Sequence, residues 1–395
     1  MSTLLVSDLF PPRTGGSGRW FWEIYRRLPR ADYCIAAGEA ERQQEFDRTH
    51  DLRLKRLPLT LHCWGLRGWR GYWRAVWRLR RLIKAERVRV LHCGRALPEG
   101  LMALALKGCC RVSYLCYAHG EELNHAASSR ELTWWVRRVL GSAARVIANS
   151  RNTERLLRED WALPAARVTV LHPGVDTRRF VPAERDPQVR ARLGWGDRPV
   201  ILTVGRLQKR KGHDTTIQAL SAIRRTVPNV LYAIVGEGEE RQPLQELAAR
   251  LDLTGHVKFH GEPDDDDLVR CYQQCDLFVL ANREVNGDIE GFGMVLLEAQ
   301  ACGRPVIAGA SGGTVETMRP GETGYVVPCE GPEKLAALAA ELLPDRERLT
   351  RMGEAGRRWV VEQFDWESLT RQAERLFQGE PPRRKPDCKG KLVLS

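Results

Sequence analysis

The chain contains 395 residues, of which 43% are hydrophobic, and it carries a formal net charge of +12 at pH 7. This length allows two domains with complete cores, and the hydrophobic fraction is typical of a globular protein. Because no run of 18 apolar residues occurs and MSTLLVSDLFPP lacks the basic region and apolar length of a signal peptide, we expect neither a membrane-spanning helix nor secretion.

The positive charge is concentrated in the first half of the chain. Residues 1–180 hold 32 Lys and Arg against 17 Asp and Glu, whereas residues 181–380 hold 25 against 32. A basic module predicts an anionic partner, which can be a phospholipid surface, a nucleic acid or a phosphorylated substrate.

The eleven cysteines are scattered along the chain. Cys109 and Cys110 are adjacent, and no second pair completes a metal-binding set. We therefore expect reduced thiols, a cytoplasmic location and no bound metal.

Strand-like apolar runs alternate with helix-like segments along the whole chain. In the first half, strands are predicted at 4–10, 89–92, 113–119, 145–150 and 167–174, and helices at 131–140 and 152–161. Residues 174–196, rich in Pro, Gly and Asp, are predicted to be a linker. Beyond it, strands are predicted at 199–206, 231–238, 257–261, 277–281, 305–309 and 325–328, and helices at 213–226, 240–251, 265–274, 294–302 and 366–377. Such βαβ alternation predicts two doubly wound α/β domains, with strand C-termini and loops facing a cleft between them.

Two glutamates lie eight positions apart in EGFGMVLLE, residues 290–298. A loop opening into a helix places Glu290 at the helix mouth and Glu298 about two turns along it. The backbone N–H groups of the Gly-Phe-Gly turn suit an anionic or oxygen-rich ligand. One carboxylate can contact a sugar and the other the two hydroxyls of a ribose. The alternative is an ordinary amphipathic helix with a glutamate near its start.

The second domain opens with VGRLQKRKGH, in which Arg206 follows a strand and Lys211 precedes a helix. Two cations so placed can clamp a diphosphate and neutralise the charge that grows on a leaving nucleotide. A basic surface loop is the alternative, and we expect Lys209 and Arg210 to be only that.

Several glycine-rich turns follow predicted strands. Gly15, Gly16 and Gly18 lie where the first strand turns into a helix, which allows backbone N–H groups to approach a phosphate. VGEGEE at 235–240 can line a base pocket, and SGGTVE at 311–316 can contact a phosphate or sugar. Each is equally compatible with an ordinary turn between a strand and a helix.

His119 ends a strand in the segment HGEE. A histidine there can bond a sugar hydroxyl or the departing phosphate, although most such histidines are structural. His119 and His125 do not have the HExxH spacing, which argues against a metal site.

Residues 64–84 read WGLRGWRGYWRAVWRLRRLIK. Trp69, Trp73 and Trp77 recur every four residues, and Arg70, Arg74, Arg78 and Arg81 flank them. On a helix this forms an aromatic stripe beside a basic one, which suits a membrane surface; Trp134-Trp135 with Arg137-Arg138 can extend it. The alternatives are tryptophans packed in the core, or binding of single-stranded nucleic acid.

These motifs occur together in a known order. The glycine turn, HGEE, HPGVD, GRxxxxKGH, VGxG, EGFGMVLLE and SGGTVE resemble those of the retaining nucleotide-sugar glycosyltransferases of family four, over roughly residues 3–378. Mannosyltransferases acting on phosphatidylinositol and other lipid-linked acceptors are the best-known relatives. The resemblance implies the GT-B fold: an acceptor-binding domain at 1–180, a nucleotide-sugar-binding domain at 181–363, a helix at 364–378 that returns to the first domain, and a mobile basic tail at 379–395.

The resemblance also assigns site residues. Arg206 and Lys211 match the pair that binds the donor diphosphate, Glu290 the glutamate that contacts the sugar, and Glu298 the one that binds the ribose. Gly16, beside Gly15, matches a glycine near the donor phosphate, and His119 matches a histidine near the sugar. The backbone segment that holds sugar hydroxyls and phosphate corresponds to Gly291, Phe292, Gly293, Met294 and Val295.

The family mechanism retains the anomeric configuration. A second carboxylate about 5 Å from an acid, as a glycosidase would need, has no candidate in the sequence. Same-face attack, in which the leaving diphosphate takes the acceptor proton, fits better. Arg206 and Lys211 then supply the positive charge without a metal or other cofactor.

The substrate prediction is a hexose, such as mannose, moved from a GDP- or UDP-sugar to a lipid-linked or glycan acceptor at an anionic membrane. Relatives often carry Pro-Ser where this chain has Ala281-Asn282, followed by the insert REVNGDI, which leaves the sugar open. A UDP-sugar transferase with a soluble acceptor is one alternative. A basic nucleic-acid-binding protein is the other, without a recognition motif to support it.

Overall fold

The computed structural model describes residues 2–13, 15–60 and 66–379. Within this part, the chain forms two compact units, the first from residues 2–173 with 366–379 and the second from residues 174–365.

The first unit is built on a seven-stranded parallel sheet in the order β3-β2-β1-β4-β5-β6-β7. Its strands are β1 Thr3–Ser7, β2 Tyr33–Gly38, β3 Leu54–Leu57, β4 Val90–Cys93, β5 Ser113–Ala118, β6 Arg145–Ala148 and β7 Val168–Val170. Its helices are α1 Gly16–Tyr25, α2 Gln43–Thr49, α3 Leu66–Ala85, α4 Leu101–Cys110, α5 Glu121–Ala127, α6 Arg130–Ser142 and α7 Arg151–Glu159. The apolar side chains of α3, α4 and α6 join those of the strands in one core.

The second unit is built on a six-stranded parallel sheet in the order β10-β9-β8-β11-β12-β13. Its strands are β8 Val200–Val204, β9 Leu231–Val235, β10 Val257–Gly261, β11 Leu277–Leu280, β12 Val306–Gly309 and β13 Gly324–Val327. Its helices are α8 Pro187–Arg192, α9 His213–Thr226, α10 Arg241–Arg250, α11 Asp265–Gln274, α12 Met294–Ala301, α13 Glu333–Leu342 and α14 Arg346–Phe364. The sheet separates two apolar cores, as expected when strands are buried on both faces.

The last described helix, α15 Trp366–Phe377, belongs to the first unit and packs on α1. The ring of Phe377 lies 4.4 Å from that of His92, between centroids. The predicted α/β class, with two Rossmann-like sheets and a C-terminal helix returning to the first unit, is confirmed. No helix among the described residues has the length and apolar character needed to cross a bilayer. The tail from residue 380 lies outside the described residues.

The linker prediction for residues 174–196 is wrong. The segment contains α8, and Phe180 and Trp195 are fully buried in the second unit. Arg357 of α14 donates to the carbonyls of Thr177 and Phe180, which holds the segment against that unit. The chain consequently changes unit at Pro173, seven residues before the expected boundary at 180.

Candidate functional site

The candidate site of the second unit lies at the carboxyl ends of β8 and β11. These neighbouring strands mark the point where the strand order reverses, which is where open α/β sheets bind ligands. Gly212, with φ of 70°, ends the loop that carries Lys211, and a Cβ on it would lie only 1.8 Å from the carbonyl oxygen of Ala281. Because only glycine permits this approach, the Lys211 loop and the segment after β11 lie side by side.

Glu290 is held by two cations from the Lys211 loop. Arg210 Nη1 donates to Glu290 Oε2 at 2.7 Å, and Lys211 Nζ donates to the same oxygen. Arg210 Nε also lies 3.0 Å from Asp288 Oδ2. Arg210 and Glu290 are 5% and 9% exposed, so this is a nearly buried network of ionised groups. The expectation that Arg210 is a solvated surface residue is wrong.

The network fixes the charge of Glu290. Burial by itself raises the pKa of this carboxyl group, but the charges and hydrogen bonds of Lys211 and Arg210 outweigh it and lower the pKa to about 2. Burial lowers the pKa of Lys211, and Glu290 offsets only part of that effect. Glu290 is therefore an anion at neutral pH and has no proton to donate.

Arg206 is placed differently from its neighbours. Its side chain is exposed and forms no ion pair or side-chain hydrogen bond with any residue in the described part of the chain. The Arg206 charge is close enough to contribute to lowering the pKa of Lys211. Of the two cations predicted to bind a diphosphate, Arg206 therefore lies in solvent and Lys211 is neutralised by Glu290.

The EGFG segment turns into α12 as the sequence predicts, although the helix begins later than expected. Gly293, with φ of 89°, is the residue before Met294, so Glu298 lies just over one turn along the helix rather than two. Glu298 is 3% exposed, and Tyr272 Oη donates to its Oε2 at 2.6 Å. This bond orients the Glu298 carboxylate, and the sequence offered no signal for Tyr272 because it lies 26 residues away.

Gly291, Met294 and Val295 are half-buried, whereas Phe292 is 3% exposed with its ring 5.9 Å from that of Phe364. The side chain of Phe292 therefore belongs to the core, and only its backbone can serve a ligand.

The backbone of the SGGTVE segment packs against the backbone of Glu290. Gly313 N–H donates to the carbonyl of Glu290 at 3.0 Å. A Cβ on Gly312, whose φ is 69°, would lie 1.8 Å from the same oxygen. These glycines allow two loops to pack backbone to backbone, which accounts for them without a ligand.

The insert after Asn282 is an ordered hairpin turn. Arg283 forms a two-point ion pair with Asp214, at 2.8 and 2.6 Å. Val285 and Asp288 exchange backbone hydrogen bonds around Asn286 and Gly287, which both have positive φ. The segment that leads to Glu290 is therefore fixed at both ends by the Lys211 loop and the start of α9.

The predicted glycines of the first unit lie at the start of α1. Gly15, with φ of 149°, precedes α1, and a Cβ on it would meet no atom within 4 Å. Gly16 begins α1, so its N–H has no acceptor within the helix. Space beside Gly15 leaves this helix start accessible.

His119 follows β5, is 9% exposed and makes hydrogen bonds with both ring nitrogens. Nε2 lies 2.9 Å from the carbonyl of Gly94, so it carries the proton and donates. Nδ1 lies 3.2 Å from Ser17 Oγ, and in the neutral ring it accepts from that hydroxyl. Ser17 is a contact that the sequence did not indicate.

The aromatic stripe of α3 faces solvent. Trp69, Trp73 and Trp77 are 44%, 54% and 53% exposed. The opposite face of the helix is buried in the core and includes Tyr72. The interpretation that these tryptophans are core residues is wrong. Five arginines of the helix are exposed and form no ion pair within the described residues: Arg70, Arg74, Arg78, Arg80 and Arg81. The guanidinium group of Arg81 lies 4.4 Å from the centre of the Trp77 ring.

Comparison with known proteins gives matches over nearly the whole chain. The family model described as Glycosyltransferase Family 4 matches residues 14–179, and the model described as Glycosyl transferases group 1 matches residues 186–359. A GDP-mannose-dependent alpha-(1-6)-phosphatidylinositol monomannoside mannosyltransferase of Mycobacterium tuberculosis is 35% identical, covering 96% of this chain and 99% of the relative. The protein of the same name from Mycolicibacterium smegmatis is 33% identical over 95% of this chain and 98% of the relative.

Solved structures show the same fold. Anabaena HepE in complex with UDP matches with a TM-score of 0.82 at 19% identity, over 96% of this chain and all of that one. Sucrose-phosphate synthase of Thermosynechococcus elongatus matches with a TM-score of 0.80 at 23% identity, over 96% and 99%.

The two parallel sheets and these matches define the protein as a glycosyltransferase of the GT-B fold. Because its relatives are more than 30% identical over nearly their whole length, the chain belongs to glycosyltransferase family 4.

Proposed function

We propose that this protein transfers mannose from GDP-mannose to a phosphatidylinositol mannoside, with retention of configuration and without a metal. The observation that carries the proposal is the match, over almost the full length of both chains, to relatives named for that donor and acceptor. The relatives' printed linkage is alpha-(1-6), and we extend it to this chain.

The charges of the second unit support a diphosphate donor. Arg206 has no partner among the described residues and can meet an incoming phosphate directly, whereas Lys211 is paired with Glu290. A diphosphate that approaches Lys211 joins a network that already holds the carboxylates of Glu290 and Asp288. The cations of Arg206 and Lys211 can donate to it, and Arg210 keeps its two carboxylate partners. Glu298, oriented by Tyr272, then accepts hydrogen bonds from the ribose.

Glu290 acts on the sugar as an anion. With a pKa of about 2, Glu290 has no proton to donate and is a weak base, so it is a poor recipient for the acceptor proton. The leaving diphosphate is the base that we propose takes this proton. The ionised carboxylate accepts hydrogen bonds from sugar hydroxyls and favours positive charge on the sugar ring as the bond to phosphate breaks. Arg206 and Lys211 stabilise the departing diphosphate, which is why we propose that no metal is required.

Gly16 and His119 are assigned to the donor phosphate and the sugar by the family resemblance, and these roles stay predictions. The hydrogen bond from Nε2 of His119 to Gly94 supports the role, because it fixes the tautomer and leaves Nδ1 as the acceptor. A sugar hydroxyl can then replace the Ser17 hydroxyl at Nδ1. The cytoplasmic location likewise stays a prediction.

We also propose that the exposed face of α3 lies on the membrane that holds the acceptor. Three exposed tryptophans are spaced every four residues and are flanked by arginines that form no ion pair with the described part of the chain. This combination suits an interface of anionic headgroups. Trp134 on α6 is 58% exposed, and α4 packs between α3 and α6. The packed group of α3, α4 and α6 therefore has exposed tryptophans on two of its helices, α3 and α6.

A soluble acceptor is the second candidate. D-inositol 3-phosphate glycosyltransferase of Salinispora arenicola is 35% identical to this chain, but over only 58% of it and 53% of that relative. A panel crossing GDP-mannose and UDP-sugars with phosphatidylinositol monomannoside vesicles and soluble inositol phosphate separates the two. Transfer confined to GDP-mannose and the lipid supports the proposal, and transfer to the soluble acceptor alone contradicts it. Retention of the protein on immobilised nucleic acid at physiological salt would favour the alternative that it is a nucleic-acid-binding protein.

A further inference from the structure

The second unit contains a cavity of about 520 Å³ at the other edge of its sheet from the candidate site. Asp276 and Pro305, which line it, immediately precede β11 and β12, so the cavity lies at the amino ends of these strands. The chain around residues 182–185 and the first turns of α14 form further walls. Its volume falls within the range of small-molecule sites.

The lining of this cavity is strongly basic. It contains five arginines and two acidic residues: Arg185, Arg304, Arg346, Arg357 and Arg358, with Asp276 and Glu354. Only Arg185 forms an ion pair with either acid, reaching Asp276 at 2.8 Å. Positive charge is therefore left over in the cavity wall.

Two of the arginines are held by neutral acceptors. Arg357 donates to the carbonyls of Thr177, Phe180 and Ala301, and Arg304 donates to those of Ala183 and Gln273. These bonds fix the guanidinium groups, and neither group forms an ion pair within the described residues. Nε of Arg304 is buried and has no acceptor among the described residues. An anion in the cavity would supply the negative charge that the neutral carbonyls lack and an acceptor for Nε of Arg304.

The other two arginines lie at the rim about three turns apart on α14. Arg346 and Arg358 are exposed and form no ion pair within the described part of the chain. Glu354 lies four residues before Arg358 yet does not reach it. Each of these two guanidinium groups can therefore contact a ligand without breaking an ion pair of the described residues.

We propose that this cavity binds a small phosphorylated anion at a site separate from the nucleotide-sugar site. Arginine forks match phosphate oxygens geometrically, and fixed guanidinium groups lose little entropy on binding. Because Arg304 and Arg357 also bind the segment 177–183, a ligand on them tightens that segment as well. The proposal does not depend on which sugar the protein transfers.

Pyrophosphate binding tests the proposal. Since pyrophosphate can also occupy the Arg206 and Lys211 pair, calorimetry is performed in an Arg206→Ser background. Arg346→Ser with Arg358→Ser is compared with Arg225→Ser with Arg250→Ser, which removes two exposed arginines of the same unit outside the cavity. The cavity pair should weaken binding by about tenfold or more, and the control pair by less than about twofold.

A second variant, changed at a different position of the cavity, tests whether the effect comes from the site rather than from misfolding. Thr350→Glu adds a carboxylate at an exposed position of the cavity lining and should weaken pyrophosphate binding by a similar factor. Hydrogen exchange of residues 177–183 should slow when pyrophosphate is added, and GDP affinity of the cavity variants in the unaltered Arg206 background should not change. Equal pyrophosphate affinity in cavity and control variants, or unchanged exchange in that segment, would overturn the proposal.

Discussion

Replacing Glu290 by glutamine removes one negative charge from the buried network and keeps its shape. Lys211 and Arg210 both donate to Oε2 of this carboxylate, and the Glu290 side chain is 11% exposed. An amide oxygen can accept one of these bonds, but the substitution removes the carboxylate that Lys211 is paired with and leaves Arg210 with its contact to Asp288. The variant should therefore be less stable than the parent and also less active.

The lowered pKa sets the size of the effect. A change from the ordinary value of 4.5 to about 2 corresponds to about 3 kcal/mol of stability that the ionised form contributes at neutral pH. Because the folded-state pKa is depressed, this contribution is present above pH 4.5 and is lost as pH falls through 2. Breaking one side of a buried ion pair has a similar magnitude.

Urea unfolding at pH 6 and pH 3.5 measures both features. Glu290→Gln should lower the free energy of unfolding by about 3 kcal/mol at pH 6, and the deficit should shrink at pH 3.5 because the parent begins to lose its contribution. Glu284→Gln, an exposed acid of the same loop, is the control and should change stability by less than about 0.5 kcal/mol. GDP affinity should be kept or increased since Lys211 is released, while turnover falls about 100-fold. Equal stability of Glu290→Gln and parent at pH 6 would refute the reasoning.

Three further predictions concern the donor site, the membrane and pH. Glu298→Ala and Lys211→Ala should each weaken GDP binding by roughly 1.5–3 kcal/mol in calorimetry, and unchanged affinity in both would remove the donor-site assignment. Changing Arg70, Arg74 and Arg78 to Ser should weaken the free energy of binding to anionic vesicles by about 1 kcal/mol per residue, measured by flotation, and should leave GDP binding unchanged. Equal flotation of variant and parent at physiological salt would mean that α3 serves another partner. Burial lowers the pKa of His213 to about 4. Because the unfolded state takes up the proton first, His213 should account for roughly 2 kcal/mol of the stability that the parent loses between pH 7 and 5, and a His213→Gln variant that lost as much as the parent would contradict this.

Local sequence signals were sufficient for most of the second unit. The predicted helices at 213–226 and 265–274 match α9 and α11 residue for residue, and the one predicted at 366–377 matches α15 of the first unit. Each has an apolar face with helical spacing, and α11 has Asp264 accepting from two backbone N–H groups at its start. Strands β2 and β3 were missed because YCIAAG is rich in small residues and LKRL is a short, charged edge strand.

The sequence singled out the candidate site residues, whose roles stay predictions, but it did not indicate their partners in the fold. Arg206, Lys211, Glu290 and Glu298 stand out by their spacing from glycines and strand ends. Arg210 was taken for a surface residue because its acceptor lies 80 positions away in the sequence. A charged residue is buried only when a distant partner compensates it, and a single sequence does not contain that distance.

Transfer of labelled mannose from GDP-mannose to phosphatidylinositol monomannoside in anionic vesicles tests the central claim most directly. The parent should form the mannosylated lipid with an α linkage, prefer GDP-mannose to UDP-sugars, and keep its activity in the presence of a metal chelator. Lys211→Ala should lose most of this transfer, whereas Lys209→Ala, an exposed lysine of the same loop, should retain it. Absence of transfer to the lipid from every nucleotide sugar, or equal transfer by Lys211→Ala and the parent, would contradict the account.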